Sequence, residues 1–244
     1  MTINESVIHQ LKQLKGKPLK QKIEHIITYF WMPILLTLGL IIATASYIVH
    51  ISNTKDVGLS VICLNAFPDR MRTEQFLEDF AKYASIDTDT YKLQIDDAMI
   101  ISDEDASASY ETSQVIMIRA ASQSLDALIG DIGLMTSYIY NDFFADLHEQ
   151  LTPQQREKYT AFFLYADMAI IRKIQESPES TPVLIDPTKP ELMVEPVPVA
   201  LQIPKESKLA KQYYPGRTTP LCIGIIGNTV NLERTLAFLD YIME

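Results

Sequence analysis

The stretch VGLSVICL, residues 57–64, is short, apolar and partly β-branched, which predicts a buried β-strand. The residues 65–68 that follow, NAFP, end this strand. Thr73 then opens the segment TEQFLEDFAKYA, in which the apolar residues recur at helical spacing. Because a buried strand followed at once by an amphipathic helix starts an α/β layered fold, we expect an α/β domain over residues 57–244.

The same alternation continues downstream. Apolar residues spaced by two predict a second strand over residues 90–96, and the segment LDALIG predicts a third over 125–130. Residues 110–122 between them have the spacing of a helix. Since strands that alternate with helices pair in parallel through right-handed crossovers, we expect a single three-layer lobe with a mostly parallel sheet.

The second half of the domain is less regular. Its predicted elements are a helix over 134–144, a helix opened by the capping box of Thr152, strands over 197–203 and 221–226, and a final helix capped by Asn231. Pro196 and Pro198 lie in the first of these strands, which should therefore be an edge strand or only partly paired. Residues 161–175 fit strand and helix equally, whereas the proline-rich segment 177–190 predicts a loop with a short strand at 183–185.

Upstream of the domain, the segment IITYFWMPILLTLGLIIATASYIV, residues 26–49, carries no charged side chain. As a helix with a rise of about 1.5 Å per residue, such a segment would span about 36 Å, more than the roughly 30 Å of a bilayer's hydrocarbon core. The sequence therefore predicts one transmembrane helix, assigned to residues 26–50, that contacts the lipid bilayer through residues 26–49.

The charges that flank this segment predict its orientation. Few basic residues follow it closely, whereas five lysines precede it: Lys12, Lys15, Lys17, Lys20 and Lys22. By the positive-inside rule, residues 1–25 form a cytoplasmic basic segment, residues 51–56 a linker, and residues 57–244 an extracytoplasmic domain of a single-pass cell-membrane protein. The alternative is a signal peptide cleaved near the small residues 43–45.

Composition limits the classes of partner. The chain has 31 acidic and 21 basic residues and a formal net charge of −10, which argues against nucleic acid as a partner. The two cysteines, Cys63 and Cys222, do not make a disulfide framework. Both lie in predicted strands, so we expect two buried thiols in preference to one bridge.

The residues that usually carry catalysis or bind metals are sparse. His9, His25 and His50 flank or precede the apolar segment, so they cannot form a cluster with His148. No nucleophile elbow, Walker loop or dinucleotide fingerprint occurs. The acidic loop over residues 103–114 alternates oxygen ligands but lacks the glycine and the final glutamate of a calcium loop. We therefore predict neither an enzyme, nor a metal site, nor a cofactor.

Several segments carry a family resemblance. They are LDALIGD (125–131), FADL (144–147), PVPV (196–199), and GIIGNTVNLE (224–233) running into AFLDYI (237–242). In this order they resemble the "D-x-I-I-G-D … F-x-D-L", "P-I-P-V" and "G-I-x-x-N-S-x-N-P-E … K-F-L-D-Y-L" segments of extracytoplasmic solute-binding proteins of bacterial ABC transporters. In that family the last asparagine caps a helix and the acid lies in its first turn, roles that Asn231 and Glu233 match here.

The resemblance implies a periplasmic-binding-protein-like lobe that binds a solute without chemistry. In the family a second lobe separates the crossover strand from the closing strand and helix, whereas here only residues 204–220 join them. The expected function is a membrane-anchored extracytoplasmic binding module for a small solute. The alternative is a structural or interaction protein that docks another membrane or cell-surface protein.

The rule for open α/β sheets places a ligand beyond the carboxyl ends of the strands. This rule selects Asn65 and Phe67 after the first strand and Asp131 after the third, with Tyr213 and Tyr214 as stacking groups. Each residue also has a structural alternative. Asp131 could cap the helix that follows it, and the paired tyrosines could cover an edge of the core.

Overall fold

The computed structural model describes residues 18–52, 55–68, 70–102, 104–177 and 182–244. The chain divides into two compact units, Met1–Thr54 and Lys55–Glu244. The described part of the first unit contains one long helix, α1 (Leu19–Ser52), which begins and ends beyond the predicted 26–50. Most of the predicted basic segment, up to residue 17, and residues 53–54 of the predicted linker lie outside the described residues.

Among the residues that the structure describes, no helix meets the length and apolarity needed to cross a bilayer. The predicted transmembrane helix over residues 26–50 and the single-pass membrane localisation are therefore wrong. The segment 26–49 is an uncharged run within α1. Within the run, the threonine hydroxyls of α1 donate hydrogen bonds to backbone carbonyls four residues earlier, and Pro33 interrupts the helical hydrogen bonding.

The second unit is built on a six-stranded sheet in the order β2-β1-β3-β6-β5-β4. The strands are β1 (Asp56–Cys63), β2 (Tyr91–Asp96), β3 (Ala127–Asp131), β4 (Phe163–Asp167), β5 (Pro196–Ile203) and β6 (Leu221–Ile225). The helices are α2 (Arg70–Tyr83), α3 (Ala106–Ala121), α4 (Ile132–Tyr140), α5 (Leu147–Gln150), α6 (Pro153–Tyr159), α7 (Met168–Glu176), α8 (Lys208–Tyr213) and α9 (Leu232–Met243). The alternation of strands and helices confirms the predicted α/β class.

The sheet is mixed, so the prediction of a mostly parallel sheet is wrong. Strand β1 pairs in parallel with β2 and β3, whereas the pairs β3–β6, β6–β5 and β5–β4 are antiparallel. The sequence alternation predicted the first three strands correctly because helical crossovers connect them. Hydrophobic spacing identifies a strand but does not indicate its direction in the sheet. The directions of the later strands depend on tertiary packing.

Apolar clusters on both faces of the sheet make the unit three-layered, as predicted. Leu59, Val61 and Cys63 of β1 pack on the face covered by α2, α8 and α9, and the intervening Ile62 packs on the face covered by α3, α4 and α7. This alternation is the period-two pattern of a strand buried on both sides. Cys63 and Cys222 are buried and free, which confirms the predicted thiols.

The proline-containing strand β5 lies inside the sheet, between β4 and β6, and is not an edge strand. Its pairing with β6 begins only at Ala200, so Pro196 and Pro198 face a single neighbour, β4. The alternative prediction of partial pairing is therefore confirmed. Proline has no backbone N–H to donate, and its presence is tolerated at these positions because β5 pairs there with one neighbouring strand only.

Other boundaries also differ from the predictions. The ambiguous stretch 161–175 contains a strand and a helix in succession, β4 and α7, and no strand forms at 183–185. Thr73 lies inside α2, which begins at Arg70, so it is not an N-cap. Thr152, by contrast, forms the predicted capping box with Gln155.

Strand directions define two edges of the sheet. The carboxyl edge joins the ends of β1, β3 and β5 to the start of β6, because Leu221 pairs with both Asp131 and Ile203. The amino edge joins the starts of β1, β3 and β5 to the end of β4, where Asp167 pairs with Pro196. Every polar cluster described below lies at or beside one of these edges.

Candidate functional site

A cavity of about 300 Å³ lies at the carboxyl edge, between the end of β5, helix α8 and the connection that leads to β6. Its lining includes Ile203, Lys205, Lys211, Tyr214, Arg217 and Thr219. This volume is at the lower end of the range of small-molecule sites. The connection over 204–220, which stands where the resembled family has a second lobe, thus supplies most of the cavity wall.

Arg217 is held at the cavity by three partners. Its Nη1 donates to the backbone oxygen of Asn65 at 2.7 Å, its Nη2 to Asp131 Oδ2 at 2.5 Å, and its Nε to Thr219 Oγ1 at 3.1 Å. The Thr219 hydroxyl in turn donates to the second oxygen of the Asp131 carboxylate. Because the guanidinium is planar and fixed on several sides, its position is set before any ligand arrives.

Tyr214 forms the floor beneath Arg217. Its hydroxyl donates to the backbone oxygen of Leu64 at 3.0 Å, and the Arg217 guanidinium lies 5.6 Å from its ring centroid. Burial raises the pKa of the Tyr214 phenol well above its usual range, so the group stays neutral and acts as a donor. Gly216 between the two side chains has φ +75°, a conformation that favours glycine and lets the chain turn here.

The structure places three of the five predicted ligand residues around Arg217. Asp131 pairs with it, Asn65 supplies a backbone oxygen to it, and Tyr214 lies under it. Asn65 has φ 54°, and its side-chain amide exchanges two hydrogen bonds with the backbone of Ile101, so that amide is occupied in holding the fold.

Of the five predicted residues only Tyr214 lines the cavity, and the other two, Tyr213 and Phe67, do not contact Arg217. Tyr213 is fully buried and packs edge-on against Phe76 at 5.4 Å, so the structural alternative describes it correctly. Phe67 is exposed, and its backbone N–H donates to the oxygen of Tyr213. Asp131 stands at the N-cap position of α4 but makes no capping hydrogen bond, because its carboxylate is turned to Arg217 and Thr219.

Sequence reasoning missed the cations of this site: Lys205, Lys211 and Arg217. A signal was present. Four basic residues occur between positions 205 and 217 in a chain with an excess of acidic residues. A local excess of one charge sign against the overall balance indicates a site more often than an isolated polar residue does.

A second polar cluster lies at the amino edge and centres on Asp126. Its carboxylate accepts hydrogen bonds from the backbone N–H of Ser60 at 2.7 Å, from the Thr229 hydroxyl at 2.5 Å and from the Asn231 amide at 3.3 Å. Asn231 occupies the N-cap position of α9 but makes no side-chain cap, since its amide serves Asp126 and its oxygen accepts from Arg234. The predicted cap is wrong in this respect, whereas the acid in the first turn of α9 is confirmed.

A wider cleft of about 610 Å³ borders β2 and includes Asp96, Asp97 and Arg119 in its lining. Arg119 donates to Asp96 at 2.8 Å and to the hydroxyl of Ser60 at 2.9 Å. Two carboxylates face one arginine in this cleft, whereas the lining of the carboxyl-edge cavity has three cations and no carboxylate. We therefore regard the cavity at the carboxyl edge as the candidate site.

Groups that could carry catalysis are shielded. Burial raises the pKa of both thiols, Cys63 and Cys222, so neither is a thiolate nucleophile near neutral pH. Within the described residues, no group of three or more histidine, cysteine, aspartate or glutamate side chains could hold a metal ion. Of the acidic loop, Asp105 caps α3 through Ala108 N, and Asp103 lies outside the described residues.

Comparisons of the chain with family models, curated proteins and solved structures found no match.

Proposed function

We propose that residues 55–244 form a binding domain for a small solute, which is recognised without covalent chemistry in the cavity at the carboxyl edge. The observation that carries this proposal is Arg217, which three hydrogen bonds hold in place at the wall of a cavity large enough for a small molecule. A polar group that is already oriented loses little conformational freedom when a ligand binds, which favours affinity.

The location of the cavity supports the same function. In open α/β sheets, ligands bind beyond the carboxyl ends of the strands, and this cavity lies beyond the ends of β3 and β5. Its wall combines apolar side chains with a few convergent polar groups, the usual composition of a small-molecule site.

The resemblance to solute-binding proteins of ABC transporters supports a binding role as well. The segment LDALIGD, residues 125–131, which belongs to that resemblance, ends at Asp131, the partner of Arg217. In place of a second lobe, the connection over 204–220 closes one side of the cavity. We propose that this single lobe binds its solute on one face, without the closure of two lobes around it.

A thermal-shift screen of the full-length chain tests the proposal. The panel contains sugars, amino acids, short carboxylic acids, amines and neutral amides, each at millimolar concentration. A ligand present at a hundredfold excess over its Kd stabilises the folded state by about 2.7 kcal/mol, so a specific solute should raise Tm clearly. A well-folded chain that responds to no class of solute would overturn the proposal.

A cavity variant shows where a responding solute binds. Ala210, a buried residue of α8, lines the cavity, so Ala210→Met narrows it and should abolish the shift. The matched control is Ala121→Met at an exposed position of α3. Each shift is measured from the variant's own Tm, which separates lost binding from lost stability. An equal shift in both variants would place the solute elsewhere.

An interaction protein is the second candidate, and the outer face of α3 favours it. Three apolar side chains are exposed on this face: Tyr110, Met117 and Ile118. Ile100, which precedes the helix, is exposed as well. Exposed apolar groups that cluster on one element are typical of protein-contact surfaces. The test is sedimentation of the chain at increasing concentration, for which Ile118→Lys should reduce association more than the control Gln154→Lys at an exposed position of α6.

A further inference from the structure

The cavity at the carboxyl edge has a charge opposite to that of the chain. Its lining contains Lys205, Lys211 and Arg217 and no carboxylate, in a protein whose formal net charge is −10. An acidic protein that gathers cations around one concave site raises the local concentration of anions there. Cationic ligands are repelled by the same side chains, and a long polyanion is repelled by the rest of the chain.

Arg217 retains unused donors. A guanidinium has five N–H groups, of which Asn65, Asp131 and Thr219 accept three. The remaining two, one on each terminal nitrogen, have no acceptor among the described residues. A guanidinium with unused N–H groups can still donate to a carboxylate, an acceptor that arginine favours.

The balance of charge around the cavity indicates an anion of a single charge. Asp131 compensates Arg217, and Glu206 lies 3.3 Å from Lys211 in an exposed ion pair. Lys205 makes no ion pair with any described residue. About one positive charge is therefore left for a ligand, which suits a monoanion better than a dianion.

Three aliphatic side chains also contribute to the wall. Ile203, Ala210 and Leu221 are buried and line the cavity beside the ring of Tyr214. A ligand that fills about 300 Å³ against this wall needs a hydrocarbon body as well as a charged group. Neutral sugars lack the charged group, and inorganic ions lack the hydrocarbon part.

We propose that the cavity binds a small carboxylate of single charge with a short apolar body, its carboxylate paired with Arg217 and Lys205. This inference names the ligand class of the proposed solute site and rests on that function. Charge attracts the ligand, the two free N–H groups of Arg217 orient it, and Ile203, Ala210 and Leu221 remove its hydrocarbon from water.

The first test compares matched probes on the full-length chain by isothermal titration calorimetry at low salt. The probes are benzoate and butyrate, their neutral amides benzamide and butyramide, benzylamine, and inorganic phosphate. We expect each carboxylate to bind at least about tenfold more tightly than its amide, with an affinity that falls as salt rises. Benzylamine and phosphate should bind more weakly than benzoate.

The second test uses two lysine variants. Lys205→Gln removes the cavity's unpaired charge and should weaken benzoate binding about fivefold to tenfold. The matched control is Lys208→Gln, because Lys208 lies over the ring of Tyr241 at 4.8 Å and does not line the cavity. Arg217 is left intact in both variants, since it also holds the fold together.

Each outcome decides between the proposals. If amides or sugars bind and carboxylates do not, the ligand class is wrong and the solute-binding function stands. If phosphate binds more tightly than benzoate, the inference that the ligand carries a single negative charge is wrong. Equal loss of benzoate affinity in Lys205→Gln and Lys208→Gln places the carboxylate outside the cavity. If no probe and no other solute binds a folded chain, both proposals fail.

Discussion

At the amino edge of the sheet Asp126 is 1% exposed, and all its partners are protein groups, whereas at the carboxyl edge the Asp131 side chain is 15% exposed and its partner Arg217 borders a cavity. The two edges use the same kinds of side chain. The amino edge has Asp126, Thr229, Asn231 and Arg234, and the carboxyl edge has Asp131, Thr219, Asn65 and Arg217.

The two edges differ in whether any hydrogen-bond donors remain unpaired after the protein's own hydrogen bonds are formed. The amino-edge cluster fills a closed interior, and Arg234 completes it by donating to the backbone oxygen of Gly58 at 2.7 Å and stacking 4.3 Å from the ring of Tyr91. At the carboxyl edge, Arg217 lines a cavity, and two of its N–H groups have no acceptor among the described residues. Similar side chains therefore pair fully with one another at one edge and border a cavity at the other.

The largest expected effect comes from removing the buried carboxylate. Asp126→Ala leaves the Ser60 N–H, the Thr229 hydroxyl and the Asn231 amide without an acceptor in the interior, which should lower the free energy of unfolding by about 4 kcal/mol. Asp131→Ala should cost only about 1 kcal/mol, because water can replace the lost oxygens at the cavity. Urea denaturation of both variants measures the difference. Equal losses would show that the two edges do not differ as described.

The second effect concerns the arginine of the carboxyl edge. Arg217→Gln removes the ion pair with Asp131 and the link to Asn65, and should lower the free energy of unfolding by about 1–2 kcal/mol. The control is Arg172→Gln, whose ion pair with Glu195 is about half exposed and should contribute little to stability. Denaturation midpoints that are the same for both variants would mean that Arg217 does not anchor the carboxyl edge.

The third effect is a pH dependence at the amino edge. Burial raises the pKa of Asp167, but the backbone N–H groups of Val194, Glu195 and Ala169 donate to its carboxylate and together hold the pKa below its ordinary value. As the pH falls below about 4, the unfolded chain takes up this proton before the folded chain does, so the stabilisation present above that pH is lost. Stability between pH 6 and pH 3 should fall less steeply for Asp167→Asn than for the wild type. Parallel curves would exclude this contribution.

The smallest effect is expected from the lysines of the cavity. Lys205 and Lys211 are exposed, so replacing both with glutamine should change the free energy of unfolding by no more than about 0.5 kcal/mol. Thermal and urea denaturation of the double variant check this. A loss of several kcal/mol would show that these lysines support the fold and are not free to bind a ligand.

Sequence patterns predicted most elements of the second unit but fewer of its contacts. The strand over residues 57–64, the amphipathic helix after it and the capping box at Thr152 depend on local spacing and local hydrogen bonds, so they could be read directly. The cap predicted at Thr73 failed because the helix begins earlier, at Arg70. The cap predicted at Asn231 failed because its side-chain amide donates to Asp126, which is distant in sequence. For the span predicted over 26–50, no described helix meets the requirements for crossing a bilayer.

The candidate site was predicted only in part for the same reason. The rule for open sheets selected Asn65 and Asp131, which lie beside Arg217, since it needs only the ends of strands, and Tyr214 was predicted from the connection over 204–220. It could not find Arg217, which bonds to Asn65 and Asp131 across 152 and 86 residues of chain. No local pattern records a pairing over such separations.

By itself the sequence determined the α/β class, the positions of most strands and helices, and the burial of both cysteines, because hydrophobic spacing and turn residues act over a few neighbours. The tertiary structure alone decided the strand directions, the full pairing of Asp126 and the partial pairing of Arg217. These features depend on which distant groups meet and on how much water is excluded where they do. The same sheet thus has one edge that is filled by its own side chains and one that leaves room for a ligand.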